Sequence, residues 1–253
     1  MLNAAFWGLV QGLTEFLPIS SSGHLVLIPA LLNADEPDLA TSVMLHLGTL
    51  LAVVWFYRHD LRKLARVRTD REARLILLLL AVGTVPAALV GITLRGPIEI
   101  VFDDPKIVAV ALMVTGAILA LGLLLPAGLR RLSSGRIPDA LVVGVAQAFA
   151  LIPGISRSGM TITAGLAQGF ERVEAARYAF LLAIPSIAGA GLLEGIDLAA
   201  DGGFEAGVLV GMAVAAVSGY AAIAFLLRLL TRAGIGPFAA YCIVFGTASF
   251  FLV

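Results

Sequence analysis

The chain has 253 residues, of which 60% are hydrophobic and 13% are charged, and its 17 basic and 17 acidic side chains give a net charge of zero. Its mean hydropathy is +1.00. A soluble domain is about half apolar and about a quarter charged, so this composition excludes a soluble globular protein. It predicts an all-α, polytopic membrane protein, and the balanced charge gives no indication of nucleic-acid binding.

The predicted elements fall into two similar series along the chain. A spanning helix takes roughly 17–25 apolar residues, and six stretches meet that requirement. An interrupted apolar region at 4–31 precedes three of these spans, at about 39–57, 75–94 and 107–126. A second interrupted region at 140–170 precedes the other three, at about 179–193, 207–227 and 237–253. Because Pro, Gly and Ser interrupt 4–31 and 140–170 near their middles, each is predicted to form a helix, a break and a second helix.

The charges of the loops predict the orientation of these elements. Fourteen of the 17 basic residues lie in the loops at 58–74, 127–139, 171–178 and 228–236, whereas 35–38 and 194–206 carry only acidic charges. Basic loops favour the cytoplasmic side. The region 4–31 would then enter and leave the membrane on the outer side, and 140–170 on the cytoplasmic side.

A weak internal repeat supports this arrangement. A shift of 136 residues places GLVQGLTEFLPISSSG, which starts at Gly8, over GVAQAFALIPGISRSG, which starts at Gly144, without a gap. Inverted repeats whose broken helices meet near the bilayer centre are a transporter architecture, with the binding site at the breaks. The single membrane domain 1–253 is therefore predicted to consist of two oppositely oriented repeats, 1–126 and 140–253. Chance similarity of two Gly- and Ser-rich breaks is the alternative.

Both breaks are followed by a serine-rich helix start. Unpaired N–H groups and the positive dipole end at a helix N-terminus suit an anion such as phosphate. Ordinary helix capping is the alternative role for serines at such positions. The predicted phosphate-contacting residues are Ser20, Ser22, Gly23, Ser156, Ser158 and Gly159.

Two charged side chains lie within the interrupted apolar regions. The guanidinium of Arg157 matches phosphate oxygens in a bidentate geometry, with a salt bridge to Glu15 as the alternative. Glu15 follows Gln11 by one helical turn, and their oxygens suit a hard divalent cation such as Mg²⁺ or Ca²⁺. A carboxylate that only pairs with Arg157 is the alternative to this metal site.

Three further polar residues receive predictions of different weight. His24 is a candidate for proton transfer or for a covalent link to phosphate. Ser21 aligns with Arg157 in the repeat, so we expect it to face the other break. His46 lies within the span 39–57, where a hydrogen bond to a neighbouring helix is one role. Tyr220 and Tyr241 carry no prediction.

The motifs QGLTEFLPISSSGH at 11–24 and PGISRSG at 153–159 resemble those of the BacA-type undecaprenyl-diphosphate phosphatases. The similarity extends over essentially the whole chain in length, segment order and motif spacing. This family removes the terminal phosphate of undecaprenyl diphosphate, which recycles the lipid carrier of bacterial cell-wall synthesis and relates to bacitracin resistance. The resemblance implies a divalent-cation cofactor, a polyprenyl diphosphate lipid and the bilayer as partners, and the bacterial inner membrane as location. A homodimer is left open, and no nucleic acid is expected.

The resemblance also implies roles for the matching positions. Gln11 and Glu15 match the two positions of an (E/Q)xxxE element, and many members have a carboxylate where this chain has Gln11. Ser21 matches the proposed nucleophilic or phosphate-contacting serine, His24 the catalytic histidine and Arg157 the phosphate-binding arginine. Either Ser21, activated by His24, attacks phosphorus, or His24 activates water or protonates the leaving group. The site is expected to open to the outer, periplasmic side.

Two other functions compete with this one. An inverted repeat suits a flippase that returns the lipid carrier to the cytoplasmic leaflet, and such transfer would not need His24. An intramembrane serine protease would use a serine and a histidine, but it explains neither Arg157 nor Glu15.

Overall fold

The structure is a computed structural model that describes the backbone of residues 1–102, 104–200 and 207–253, with side chains given except at 39, 99, 102 and 193–200. Within these residues the chain is helical, apart from turns, the 3₁₀ helix Leu132–Ser134 and one isolated bridge between Arg130 and Phe170. The predicted all-α class is therefore confirmed. The α-helices are α1 Leu2–Phe16, α2 Ser21–Leu32, α3 Leu39–Phe56, α4 Arg58–Leu64, α5 Arg71–Thr93, α6 Arg95–Phe102, α7 Pro105–Gly122, α8 Ile137–Phe149, α9 Arg157–Ala167, α10 Arg172–Ala200, α11 Val208–Arg232 and α12 Gly236–Leu252.

Several of these helices are long and apolar enough to cross a membrane. In the part of the chain that is described, α5, α7, α11 and the stretch Arg172–Leu192 of α10 meet this condition. Helices α3 and α4 form a fifth candidate if they are taken as one span, bent by 72°. Helix α12 is apolar but has 17 residues. The chain is thus a multi-pass membrane protein, and the predicted count of six spans stays a prediction.

The helix that contains the predicted fourth span, 179–193, begins earlier than that span, because α10 starts at Arg172. The charged residues at its start made this segment resemble a loop in the sequence. In the structure Glu174 accepts a hydrogen bond from the Leu132 amide at 2.7 Å, and Arg177 pairs with Asp60 at 2.8 Å. These partners lie on neighbouring elements, so the charges stabilise a helical turn there instead of ending the helix.

Both interrupted regions contain a helix, a break and a second helix, as predicted. The first break separates α1 from α2, and the second separates α8 from α9. The side chain of Ser20 caps α2 by accepting from the Gly23 amide at 3.2 Å. Ser156 caps α9 in the same way through Gly159, at 3.1 Å. A serine that accepts from the N–H three residues later is a favourable helix start, so both second helices begin where the serine runs begin.

Glycines allow the broken helices to pack closely against intact ones. Helix α1 lies on α11, where a Cβ atom at Gly8 would collide with the carbonyl of Gly211. Helix α8 lies on α5, and a Cβ atom at Gly144 would meet the carbonyl oxygen of Gly83 at 2.6 Å. Small residues at such contacts allow backbones to approach within membranes. Each broken helix therefore packs on a helix from the other half of the chain.

Helices α7 and α12 cross in a reciprocal manner. A Cβ atom at Gly116 would lie 2.9 Å from the carbonyl oxygen of Ala239, and one at Gly246 would lie 2.9 Å from that of Ala109. The two glycines thus exchange equivalent contacts across the crossing point. Helix α7 belongs to the first half of the chain and α12 to the second, so their crossing joins the two halves. Both helices lie next to the breaks, since α7 contacts α9 and α2 contacts both α7 and α12.

Candidate active site

The two breaks touch each other inside the molecule. The Ser158 hydroxyl at the start of α9 donates to the carbonyl oxygen of Leu17 in the first break at 3.0 Å. A Cβ atom at Gly23 would lie 3.3 Å from the Cα of Gly154 in the second break. Residues that are more than a hundred positions apart in the sequence therefore form one polar region.

A buried ion pair lies at this junction. The Nη2 of Arg157 donates to Oε1 of Glu15 at 2.7 Å, and the two side chains are only 19% and 6% exposed. The Nη1 of Arg157 also donates to the carbonyl oxygen of Ala183 on α10 at 3.3 Å. Charges that are withdrawn from solvent need partners of this kind, because each is costly to bury alone. The salt bridge between Glu15 and Arg157, an alternative at the sequence level, is thus present in the structure.

The second carboxylate oxygen of Glu15 also accepts hydrogen bonds. Its Oε2 accepts a short hydrogen bond from the Ser21 hydroxyl and a 2.9 Å bond from Nε2 of Gln11. Hydrogen bonds to an ionised acceptor are stronger than neutral ones, so Glu15 organises Gln11, Ser21 and Arg157 around itself. Ser21 was expected to face the second break, but its described partner is Glu15 in its own half.

The donor set at Gln11 and Glu15 fits a hard divalent cation in one respect. The Oε1 of Gln11 is buried and has no hydrogen-bond partner among the described residues, so this amide oxygen is free to coordinate. Among the described residues there is no group of three or more His, Cys, Asp or Glu side chains that could hold a metal. A cation here would therefore take few protein oxygens and complete its shell with phosphate and water, which is the usual mode of Mg²⁺.

His24 belongs to a second hydrogen-bonded group. Its Nδ1 lies 2.7 Å from the carbonyl oxygen of Ser20, and its Nε2 lies 2.7 Å from the hydroxyl of Tyr241 on α12. The imidazole is 3% exposed. No hydrogen bond joins His24 to Ser21 among the residues that the structure describes. The expectation that His24 activates Ser21 directly therefore lacks a supporting contact, while Glu15 does contact the Ser21 hydroxyl.

The two serine runs have matching local geometry. Ser20 and Ser22 lie 3.3 Å apart through their hydroxyl oxygens, and Ser156 and Ser158 lie 3.2 Å apart. Ser20 and Ser156 are buried and act as helix caps. Capping, the alternative role at the sequence level, is therefore present for these two serines, and their contact with phosphate stays a prediction.

His46 of α3 lies beside the same site. Its Nδ1 hydrogen-bonds the carbonyl oxygen of Ser42 at 2.8 Å, so its described bond is within its own helix and not to a neighbouring one.

Two residues that support the site received no prediction from the sequence. Tyr241 contacts His24, and Thr115 of α7 holds the second break by donating to the Gly154 carbonyl at 2.9 Å and accepting from the Ser156 amide at 3.0 Å. The available signal was a hydroxyl inside an apolar span, which must find a partner when buried. That signal does not identify the partner, and a threonine can also bond within its own helix.

Comparison with known proteins identifies the family of this chain. The family model described as "Bacitracin resistance protein BacA" matches residues 4–248. An undecaprenyl-diphosphatase of Geobacter sulfurreducens is 45% identical, over 98% of this chain and 96% of that protein. Proteins of the same name from Halothermothrix orenii and Thermomicrobium roseum are 43% and 45% identical, over 97% and 96% of this chain and 95% of each relative. The chain therefore belongs to the BacA family.

Proposed function

We propose that this protein hydrolyses undecaprenyl diphosphate to undecaprenyl phosphate and inorganic phosphate, which recycles the lipid carrier and confers bacitracin resistance. The observation that carries the proposal is the buried pair of Glu15 and Arg157 where the two breaks meet. The full-length relatives named undecaprenyl-diphosphatase support the same substrate. A diphosphate on a lipid requires a polar site that is reached from the bilayer, and the two breaks provide polar groups between apolar helices.

The proposal includes an inverted repeat of 1–126 and 140–253 with six spans and two re-entrant regions. The reciprocal glycine contacts support it, because Gly8 on Gly211 has its counterpart in Gly144 on Gly83. The loop charges support an inner-membrane orientation with the Arg-rich loops in the cytoplasm and the active site open to the periplasm. The bilayer and the polyprenyl diphosphate are the proposed partners. A homodimer stays a prediction, and sedimentation in detergent would measure the oligomeric state that tests it.

Arg157 is proposed to exchange partners when the substrate binds. In the structure its guanidinium pairs with Glu15 at 2.7 Å. Phosphate oxygens are a better match for its planar donors, and the N-termini of α2 and α9 add N–H groups from both breaks. Donors that are fixed before the reaction stabilise the charge that develops on the transferred phosphoryl group.

Ser21 is proposed as the nucleophile, with Glu15 as its proton acceptor. The existing hydrogen bond from the Ser21 hydroxyl to Oε2 of Glu15 supports this direction of transfer. As Ser21 Oγ bonds to the terminal phosphorus, the bond to the bridging oxygen breaks, undecaprenyl phosphate leaves and the serine proton moves to Glu15. Water then hydrolyses the phosphoserine, with His24 as the candidate base.

Gln11 and Glu15 are the residues that would hold a divalent cation, Mg²⁺ or Ca²⁺. A cation bound there would neutralise part of the negative charge of the diphosphate. The unpaired Oε1 of Gln11 supports this assignment, because a buried amide oxygen without a donor is otherwise unfavourable.

Phosphate release from undecaprenyl diphosphate in detergent micelles tests the proposal. We expect the wild-type protein to release phosphate and Glu15→Gln to be slower by about two to three orders of magnitude, since it loses both the charge and the proton acceptor. A chelator should lower the wild-type rate, and added Mg²⁺ or Ca²⁺ should restore it. Full activity of Glu15→Gln would contradict the assigned site, and full activity in chelator would remove the cation from the proposal.

A lipid flippase is the second candidate, and the reciprocal packing of α7 and α12 favours it because alternating access uses such pseudo-symmetric halves. Transfer of undecaprenyl phosphate across proteoliposomes distinguishes the two functions. A flippase transfers lipid in a His24→Gln variant that does not release phosphate, whereas a phosphatase alone transfers none.

A further inference from the structure

His24 on α2 packs against two aromatic rings of α12, and the three rings are nearly parallel. The His24 imidazole lies 5.0 Å from the Phe245 ring at 16° and 5.7 Å from the Tyr241 ring at 6°, measured between centroids. Tyr241 and Phe245 are one helical turn apart on α12, with their own centroids at 5.6 Å. The ring plane of His24 is therefore set by packing against α12.

The hydrogen bonds determine which nitrogen of His24 carries the proton. The Ser20 carbonyl oxygen only accepts, so Nδ1 at 2.7 Å must donate. In the neutral imidazole Nε2 is then the acceptor, and the Tyr241 hydroxyl at 2.7 Å is its donor. The bond made by one ring nitrogen fixes the protonation of the other. Both nitrogens are thereby occupied, one by the first break and one by α12.

We propose that Tyr241 is a positioning residue of the active site, whose hydroxyl donates to Nε2 of His24 and, together with the Ser20 carbonyl at Nδ1, holds the Nδ1-protonated imidazole in place. This places the basic nitrogen of His24 at Nε2, where the bound hydroxyl can be exchanged for water, which is also a donor. His24 itself is 3% exposed and Tyr241 is 41% exposed. Tyr241 therefore lies between the buried imidazole and the exposed face of α12.

The chemical role of Tyr241 rests on the proposed phosphatase activity, while the tautomer of His24 does not. In Tyr241→Phe the ring that packs against Phe245 is kept and only the hydroxyl is lost. Nε2 is then left without its donor, and the imidazole is held on one side alone. A positioned acid or base contributes about two to four orders of magnitude to a rate. Because Tyr241→Phe weakens the positioning of His24 without removing it, we expect a smaller effect, about a tenfold fall in kcat. KM should change little, because Tyr241 acts through His24 and not on the phosphates.

The test measures two quantities on purified protein. Phosphate release gives kcat and KM for the wild type and Tyr241→Phe, and NMR of ring-labelled histidine gives the chemical shifts of His24, assigned by loss of its signals in His24→Gln. We expect Nδ1-protonated shifts in the wild type and a changed Nε2 shift in Tyr241→Phe. Tyr220→Phe is the matched control, because Tyr220 is 39% exposed and packs on Phe56 instead of on His24.

The outcomes separate this inference from the proposed function. Wild-type kcat in Tyr241→Phe, or unchanged Nε2 shifts of His24, would overturn the role of Tyr241. Equal losses in Tyr241→Phe and Tyr220→Phe would also overturn it, since a general loss of folding explains them. If the wild type releases no phosphate, the proposed function fails, and the NMR result still decides whether Tyr241 donates to Nε2 of His24.

Discussion

Glu15 is the residue on which the polar region depends. Its two carboxylate oxygens accept from Arg157, Ser21 and Gln11, and its side chain is 6% exposed. An ionised carboxylate at this depth is stable only with such partners. The same contacts hold the proposed nucleophile, Ser21, and the proposed phosphate-binding group, Arg157, on the two oxygens of one carboxylate. The stability of the site and its chemistry are therefore coupled at Glu15.

This coupling predicts a rescue of stability without a rescue of activity. Arg157→Met leaves the Glu15 carboxylate buried and unpaired, which should lower the free energy of unfolding by about 3–5 kcal/mol. Adding Glu15→Gln removes that charge and should restore most of the loss, while phosphate release stays absent in both variants. Reversible unfolding in detergent and the phosphate assay measure the two effects.

The control for this pair is Arg228→Met, since Arg228 is exposed on α11. Its unfolding free energy should change by less than about 0.5 kcal/mol. A double variant that is no more stable than Arg157→Met would show that the ion pair does not account for the cost.

At the scale of elements, the second break depends on α7 as much as on its own residues. Thr115 bonds both the Gly154 carbonyl and the Ser156 amide, and it is 1% exposed. These two backbone groups have no helical partner, because the break lies between α8 and α9. A single hydroxyl on an intact helix therefore fixes the start of α9, where Arg157 is the first residue.

Thr115→Val is expected to keep the shape and lose both bonds. Leaving buried backbone groups unsatisfied costs about 1–3 kcal/mol per group, so the free energy of unfolding should fall by about 2 kcal/mol or more. The activity should also fall, because Arg157 is displaced. Thr93→Val is the control: Thr93 is exposed, and its hydroxyl donates to the Leu89 carbonyl of its own helix at 2.7 Å. Equal effects of the two substitutions would contradict the role of Thr115.

For the whole molecule, the loop charges predict sidedness that labelling can measure. Asp35 and Arg68 are exposed and lie in loops of opposite predicted side. In a Cys242→Ala background, a membrane-impermeant maleimide should label Asp35→Cys in intact spheroplasts and Arg68→Cys only after permeabilisation. Cys242 itself is buried, so its removal avoids background label. Labelling of Arg68→Cys from outside would reverse the proposed orientation.

Some site residues can be recognised in the sequence and others cannot, because their importance arises in different ways. Arg157 and Glu15 stand out in the sequence because a charge in an apolar stretch is costly wherever it packs. Tyr241 does not stand out, because its importance comes from a contact with His24, 217 positions away. The early start of α10 was missed for the same reason, since Asp60 and the Leu132 amide satisfy its charges from elsewhere.

The sequence by itself determined the helical class, the two breaks and the charged residues within them, because hydropathy, helix-breaking residues and the cost of buried charge act locally. Only the tertiary structure decided the partners across the chain: Ser158 donates to Leu17, His24 contacts Tyr241, and Thr115 ties the second break to α7. Hydrogen bonds are directional and short-ranged, so their pairing depends on how helices distant in the chain are packed together.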